Sequence, residues 1–156
     1  MRTQLFKNYI GGQWVSAESV STNRNPSNIK DIIGDFGQAD LEQAKTAIQS
    51  ARDAFPAWAM FSMQERSNIL ARASAEILAR KDELGRLLAR EEGKTLPEAI
   101  GEVARAGQIF GFFAGEVLRM AGEKLPSVRP GVDIEITREP LGVIGIITPW
   151  NFPIAI

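Results

Sequence analysis

The fold class follows from one segment, Val143-Ile144-Gly145-Ile146-Ile147-Thr148-Pro149-Trp150-Asn151-Phe152-Pro153. Its first five residues carry no polar side chain, which is typical of a strand buried on both faces in a parallel sheet that helices cover. The two prolines fix φ and turn the chain directly afterwards. The segment therefore predicts an α/β fold, with a strand over 143–148 and a loop at the carboxyl end of that strand.

The loop beyond this strand is the first candidate for a functional site. In open α/β sheets, ligands bind in the crevice outside the carboxyl ends of the strands. The amide of Asn151 is a neutral donor that can face a developing oxyanion without losing a proton of its own. The alternative is structural: a rigid turn in which Trp150 and Phe152 enter the core and Asn151 caps a following helix. The residues alone leave both interpretations open.

Four amphipathic helices precede this segment. Apolar spacing and capping residues predict a first helix from Asp40, which forms a capping box with Gln43, to about Phe55. A second helix opens at Ser62, and a third lies around Leu84–Leu88 and stops at Gly93. The fourth runs from about Pro97 to Ala121. Pro56 is expected to end the first helix, because the residue before a proline avoids the helical region. Gly107, Gly111 and Gly115 predict the close approach of another backbone to the fourth helix, since an interior Gly otherwise costs about 1 kcal/mol.

Three further segments have the pattern of strands. A hairpin is predicted around Gly11-Gly12, and a short strand over 32–36. Residues 132–138 alternate between apolar and polar side chains, which indicates a half-exposed strand. Such a strand is suited to pairing with another strand, including one from a neighbouring subunit.

The tripeptide Gly93-Lys94-Thr95 ends like a phosphate-binding loop, but the rest of that motif does not match. The motif needs another Gly five residues before Gly93, where Leu88 stands, and it follows a strand rather than a helix. We therefore interpret Gly93 as the residue that stops the third helix.

The composition excludes several function classes. The chain has no Cys and no His, so it contains no disulfide, no Cys/His metal site and no Ser/His/Asp or Cys/His catalytic group. A net charge of −1 without a basic block argues against binding to nucleic acid or to an anionic membrane. Residues 1–7 lack the apolar core of a signal peptide, and we expect a cytoplasmic protein.

Residues 139–153 closely resemble a motif of the aldehyde dehydrogenase superfamily. Other segments follow in the order of that family: Tyr9–Trp14, Asn25-Pro26, Ala54–Trp58, Glu65-Arg66, Glu91–Lys94 and Ala114-Gly115. Within the family, the sequence is most similar to semialdehyde dehydrogenases of the 2,5-dioxovalerate (α-ketoglutaric semialdehyde) type.

This resemblance implies the amino-terminal part of the aldehyde dehydrogenase fold. Helices would pack on an incomplete Rossmann-like parallel sheet, and an oligomerisation-arm strand would be added to it. Residues 1–125 would form the helical part of the NAD(P)-binding domain, 126–140 the arm, and 141–156 the first strand and loop of the dinucleotide-binding sheet. The catalytic domain would be absent.

The resemblance also implies the chemistry. In this family a Cys thiolate attacks the aldehyde, hydride passes to NAD or NADP, and a Glu-activated water releases the carboxylic acid. Asn151 matches the Asn of the oxyanion hole. The segment Ile147, Thr148, Pro149, Trp150 and Asn151 matches residues along the cofactor, and Phe152 matches a position at the substrate tunnel. The fourth helix borders that tunnel in family members.

Arg105 is the candidate for recognising the substrate. It shares roughly one face of the fourth helix with Gly101 and Phe112, and a guanidinium binds a carboxylate-bearing semialdehyde bidentately. The alternative is a surface charge near Glu98 or Glu102.

A chain without Cys cannot form the covalent intermediate by itself. We therefore expect it to be inactive alone and to represent part of a longer oxidoreductase that acts on a small aldehyde as a homo-oligomer, a dimer or tetramer. Two other hypotheses remain: a non-catalytic scaffold that kept the fold, and a helical interaction module.

Overall fold

The computed structural model describes residues 4–156. Residues 1–3, which belong to the segment considered above for a signal peptide, lie outside the described residues. In chain order the elements are β1 (Leu5–Phe6), β2 (Asn8–Ile10), β3 (Gln13–Val15), β4 (Ser19–Arg24), β5 (Ile32–Gln38), α1 (Leu41–Ala59), α2 (Met63–Ala79), α3 (Lys81–Glu92), α4 (Leu96–Glu116), a 3₁₀ turn (Val117–Arg119), β6 (Glu123–Pro126) and β7 (Asp133–Ile136). No helix in this part of the chain is both long and apolar enough to cross a membrane.

The strands form small sheets. A three-stranded sheet has the order β1-β5-β4, with β1 parallel and β4 antiparallel to β5. The β2–β3 hairpin turns on Gly11 and Gly12, whose φ values are 57° and 79°. Two successive residues with positive φ favour Gly, so the predicted hairpin is confirmed with its physical reason.

Helix α4 is the centre of the helical part. It packs against α2 and α3. Its residues Ala99 and Val103 are fully buried and form a core cluster with the buried Leu88 of α3.

The predicted approach of another backbone is not what the glycines meet: side chains of α2 lie against Gly107 and Gly111, and Arg119 lies against Gly115. At Gly107 the Ser74 hydroxyl of α2 donates to the Gly107 carbonyl at 2.7 Å. A Cβ atom at Gly107 would lie 2.7 Å from Leu78 Cγ, so only Gly lets α2 come this near.

The helix boundaries largely follow the capping residues. The Asp40 side chain accepts from the backbone N–H of Gln43, but the Gln43 side chain donates to the Ser16 carbonyl instead of closing a capping box. The capping box of Ser62 is present, and Gly93 ends α3 in the left-handed region. The prediction that Pro56 ends α1 is wrong. Pro56 stands in the last turn, where its missing N–H removes a single helical bond, and the helix continues to Ala59.

The strand predicted over 143–148 is not formed. Residues 143–148 have no strand partner within residues 4–156, and the Ile147 side chain is 99% exposed. A strand exists only through hydrogen bonds to a neighbour, and none of the described strands flanks this segment. The segment is apolar, as the sequence shows, but within residues 4–156 it is neither buried on both faces nor part of a parallel sheet.

The strand predicted over 132–138 is confirmed as the shorter β7. It pairs antiparallel with β6 of the same chain, and both strands are exposed along their whole length. Its role as an oligomerisation arm stays a prediction.

The contact between α3 and α4 leaves no room for a methyl group at Gly85. A Cβ atom there would lie 2.6 Å from Ile100 Cγ1 and 2.9 Å from Ile100 Cα. We expect Gly85→Ala to lower the free energy of unfolding by roughly 1–3 kcal/mol, because this clash outweighs the higher helix propensity of Ala. Gly101 of α4 is the matched control, since a Cβ atom there meets nothing within 4 Å. Gly101→Ala should stabilise the protein by up to about 1 kcal/mol in urea unfolding. Equal effects of the two substitutions would contradict this account of the helix contact.

The connection between β4 and β5 is held on the carboxyl end of α3 by a bidentate ion pair. Arg90 Nη2 donates to Asp31 Oδ1 at 2.7 Å and Arg90 Nε to Asp31 Oδ2 at 3.0 Å. Asn25 Nδ2 donates to Asp31 Oδ2 at 3.2 Å. The hydrogen bonds from Arg90, and then that from Asn25, lower the pKa of Asp31 from its usual 3.8 to about 2.

The lowered pKa of Asp31 predicts a pH-dependent stability. Because the pKa is lower in the folded than in the unfolded chain, the ionised Asp31 stabilises the fold at neutral pH. We expect Asp31→Asn to reduce the melting temperature there. The reduction should shrink as the pH falls below 3.8 and disappear near about 2. Thermal unfolding followed by circular dichroism measures it, with Asp53→Asn as control, since among residues 4–156 only Gln49 donates to that carboxylate. A difference that is constant across this pH range would show that the ion pair is not its source.

Candidate functional site

A cleft of about 420 Å³ lies between the amino-terminal half of α4 and the last residues of the chain. Its wall is formed by the link between α3 and α4, by one face of α4, and by the turn after Trp150, which is distant from both in sequence. The lining residues are Lys94, Glu98, Gly101, Glu102, Arg105, Asn151, Phe152 and Ala155.

The link between α3 and α4 places Lys94 at the base of this cleft. Gly93 has a φ of 72°, and this left-handed residue reverses the chain after α3. Thr95 then starts α4 in a capping box with Glu98, whose carboxylate accepts from the Thr95 hydroxyl at 2.6 Å. Lys94 is therefore held between two helix ends, and its side chain is only 16% exposed.

The Lys94 ammonium group has three oxygen partners. It contacts Glu92 Oε2 at 2.6 Å, Glu102 Oε2, and the backbone carbonyl of Asn151 at 3.0 Å. It also lies 4.8 Å from the centre of the Phe152 ring, within the range of a cation–π contact. The cluster thus connects both helices to the turn that carries Asn151.

Glu102 provides the second connection to this turn. Its side chain is 1% exposed, and its Oε1 accepts a hydrogen bond from the backbone N–H of Ile154 at 3.1 Å. Its other oxygen faces Lys94, so both oxygens of this buried carboxylate have a partner. A buried charge is stable only when it is paired and hydrogen-bonded in this way.

The pKa of Lys94 is raised. Burial by itself lowers the pKa of this ammonium group, but the hydrogen bonds and charges of Glu102 and Glu92 outweigh that effect. Lys94 therefore stays protonated at neutral pH, and all three of its N–H donors remain available to hold its partners.

The cleft brings together three of the residues proposed from sequence. The cleft is lined by Asn151, Phe152 and Arg105. In sequence, β6 and β7 lie between Arg105 and the other two residues. Arg105 is exposed, forms no ion pair within residues 4–156, and lines the cleft together with Glu98 and Glu102. Its role as a contact for the substrate carboxylate stays a prediction, and so does the alternative of a surface charge near these two residues.

Of the residues proposed along the cofactor, Asn151 lines this cleft, and the four before it, residues 147–150, lie outside it. Ile147 is 99% and Trp150 86% exposed, and Thr148 is exposed beside the half-buried Pro149. This segment presents an open, largely apolar surface next to Asn151. The structural alternative, with Trp150 buried in a core, is not what residues 4–156 adopt.

Two residues of the site were missed by the sequence analysis. Lys94 was considered as part of a false phosphate-binding motif and of a family-like segment, and Glu102 as a charge near Arg105, but neither was proposed for the site. A signal for Glu102 was present. It occupies the same helical stripe as Ala99, Val103 and Ala106, and a carboxylate on a buried stripe requires a cationic partner.

The sequence and the fold of this chain are both similar to those of known proteins. The model of the Aldehyde dehydrogenase family matches residues 14–156. Alpha-ketoglutaric semialdehyde dehydrogenase of Bacillus subtilis is 38% identical over 97% of this chain and 31% of its own length. Succinate-semialdehyde dehydrogenase [NADP(+)] 1 of Schizosaccharomyces pombe is 38% identical over 96% of the chain and 30% of its own length. The crystal structure of an NAD-dependent aldehyde dehydrogenase from Sinorhizobium meliloti superposes with a TM-score of 0.91 at 30% identity, covering 99% of this chain and 32% of that one.

These matches confirm the α/β fold class and the resemblance to semialdehyde dehydrogenases. Relatives that use NAD and relatives that use NADP are both among them, in agreement with the two cofactors expected. The chain spans about a third of the length of the curated relatives it matches.

Proposed function

Because the chain belongs to the aldehyde dehydrogenase family, we propose that it forms part of an enzyme that oxidises a carboxylate-bearing semialdehyde with NAD or NADP. The overall reaction converts aldehyde, water and NAD(P)+ into carboxylic acid, NAD(P)H and a proton. One observation carries the proposal: a single cleft is lined by Asn151, which has an amide donor, and by Arg105, whose guanidinium forms no ion pair with another residue of the described range 4–156. The first suits the reacting end of a semialdehyde and the second suits its carboxylate end.

In this proposal Asn151 stabilises the negative charge that develops on the aldehyde oxygen. When a nucleophile adds to the carbonyl carbon, the C=O π bond breaks and its electron pair moves to oxygen. A preformed amide donor lowers the energy of that oxyanion because it needs no reorganisation at the moment of reaction. The chain contains no Cys, so we propose that the nucleophile comes from another part of the enzyme and that this chain alone is inactive.

The open segment before Asn151 fits a nicotinamide cofactor. Ile147, Thr148, Pro149 and Trp150 offer apolar surface and one hydroxyl group, and no described residue covers Ile147 or Trp150. We propose that these residues hold the cofactor beside the cleft. When bound, the oxidised cofactor supplies the acceptor for the hydride that leaves the aldehyde carbon.

The β6–β7 hairpin is proposed as an assembly element of the whole protein. Both of its strands are exposed, and its apolar side chains Ile134 and Ile136 alternate with charged residues. Such an exposed hairpin is suited to extension by a strand from another copy, which would give the expected homo-oligomer.

The role of Asn151 is tested by Asn151→Ala in the whole enzyme. Loss of one oxyanion donor lowers kcat by about 10²–10³. We expect a decrease of this size with little change in the KM for the cofactor, measured by the absorbance of NAD(P)H. The control is Asn68→Ala, an exposed position on α2 outside the cleft, which should leave kcat unchanged. If Asn151→Ala keeps wild-type kcat, the proposed oxyanion role is wrong.

The role of Arg105 is tested by comparing two aldehydes of equal length, one with a terminal carboxylate and one neutral. A charge-assisted hydrogen bond contributes about 1.5–3 kcal/mol, so Arg105→Met should lower kcat/KM for the acidic aldehyde by roughly 10–100-fold. The value for the neutral aldehyde should change much less. Arg86→Met, at an exposed position of α3 outside the cleft, is the matched control. An unchanged ratio between the two substrates would rule out Arg105 as the carboxylate contact.

A further inference from the structure

The buried pair Lys94–Glu102 contacts both ends of one short turn. Lys94 Nζ donates to the Asn151 carbonyl at 3.0 Å, and Glu102 Oε1 accepts from the Ile154 N–H at 3.1 Å. Within the described residues, these are the two side-chain hydrogen bonds that reach residues 151–156. The turn is therefore attached at its first and fourth residues by two side chains that are themselves bound to each other.

The pair is rigid because its hydrogen-bonding capacity is used. An ammonium group has three donors, and those of Lys94 face Glu92, Glu102 and Asn151. Both oxygens of Glu102 are occupied, and its side chain is 1% exposed. Neither side chain has a competing partner in solvent, and screening by salt is weak at this depth. The position of the turn relative to α4 is thus set by one defined geometry.

We propose that Lys94 and Glu102 are positioning residues that orient the Asn151 amide toward the reacting oxygen. This inference rests on the oxyanion role proposed for Asn151. Neither residue touches the substrate in this role, and both act through the backbone of the turn. An oxyanion donor is effective only within about 2.7–3.1 Å of the oxygen, and a displacement of about 1 Å costs on the order of 10²-fold in rate.

The choice of an ion pair supports a positioning role over a purely stabilising one. A buried ion pair is often no more stabilising than apolar residues of similar volume, because both charges lose their hydration. Apolar side chains at positions 94 and 102 would fill the space, but they would leave the Asn151 carbonyl and the Ile154 N–H without these partners. The pair thus fixes the orientation of the backbone of the turn through hydrogen bonds, which apolar packing does not do.

The first test is the double variant Lys94→Met/Glu102→Gln in the whole enzyme. It keeps the volume of both side chains and removes both charges of the Lys94–Glu102 pair, but it also takes the cationic partner from the largely buried Glu92, a cost that is measured through the melting temperature. We expect kcat to fall about 10–100-fold while the KM for the cofactor stays within twofold. The matched control is Arg80→Met/Glu83→Gln, which removes an exposed ion pair whose residues do not line the cleft and should leave kcat unchanged.

A second variant covers the case in which the double variant does not fold. Glu102→Gln keeps an acceptor for the Ile154 N–H, and Lys94 keeps Glu92 as its counter-charge. We expect this milder change to lower kcat several-fold, with a melting temperature close to that of the wild type. If either folded variant has wild-type kcat, the proposal is overturned.

A double-mutant cycle with Asn151→Ala separates positioning from a general structural effect. Once the amide is absent, nothing remains to be oriented, so adding Lys94→Met/Glu102→Gln should lower kcat by less than about threefold. Losses that multiply independently would overturn the positioning role. If Asn151→Ala lowers kcat and the pair variants do not, only the positioning role fails. If Asn151→Ala alone leaves kcat unchanged, the oxyanion role and the positioning role fail together.

Discussion

The ion pair between Lys94 and Glu102 is the constraint on which the geometry of the cleft depends. It joins the end of α3 and the first half of α4 to the turn after Trp150, which is far from both helices in sequence. Its position is in turn set by two backbone features. Gly93 reverses the chain in the left-handed region, and the Thr95 capping box starts α4 directly after Lys94. The pair forms because these local features deliver a cation and a carboxylate to the same buried place.

Helix α4 links the packing of the core to the cleft. One stripe of the helix carries Ala99, Val103 and Ala106, which are buried against α2 and α3, and Glu102 lies on the same stripe. Gly101 and Arg105 lie on the adjoining face, which is open to the cleft. Because a helix is stiff, the depth at which its small residues pack determines where Glu102 and Arg105 stand. A change in the core would therefore reach the site as a shift of the whole helix.

The parts of this structure that sequence analysis predicted are those determined by local chemistry. The hairpin at Gly11-Gly12, the caps at Asp40 and Ser62 and the stop at Gly93 each depend on residues within one turn of the chain. The strand over 143–148 was wrong for this structure because a strand requires a partner, and hydrophobicity identifies only the tendency. Within the site, Asn151, Phe152 and Arg105 were proposed from a motif and from its family context. Lys94 and Glu102 were missed because their role depends on hydrogen bonds to Asn151 and Ile154, which lie 57 and 52 positions away in sequence. A local sequence pattern does not contain such a contact.

The two sides of the site differ in burial, and this difference has a chemical consequence. The wall formed by Lys94, Glu102 and α4 is buried and paired, whereas Ile147 and Trp150 on the other side of Asn151 are almost fully exposed. A donor that is anchored from one side and open on the other can keep its direction while a large, flat ligand approaches it. Preorganisation lowers a barrier only when the donor is fixed before the charge develops. The anchoring of the backbone of the turn to α4, rather than contacts made by the exposed segment, is therefore the physical basis of the proposal that the Asn151 amide faces the reacting oxygen in a fixed direction.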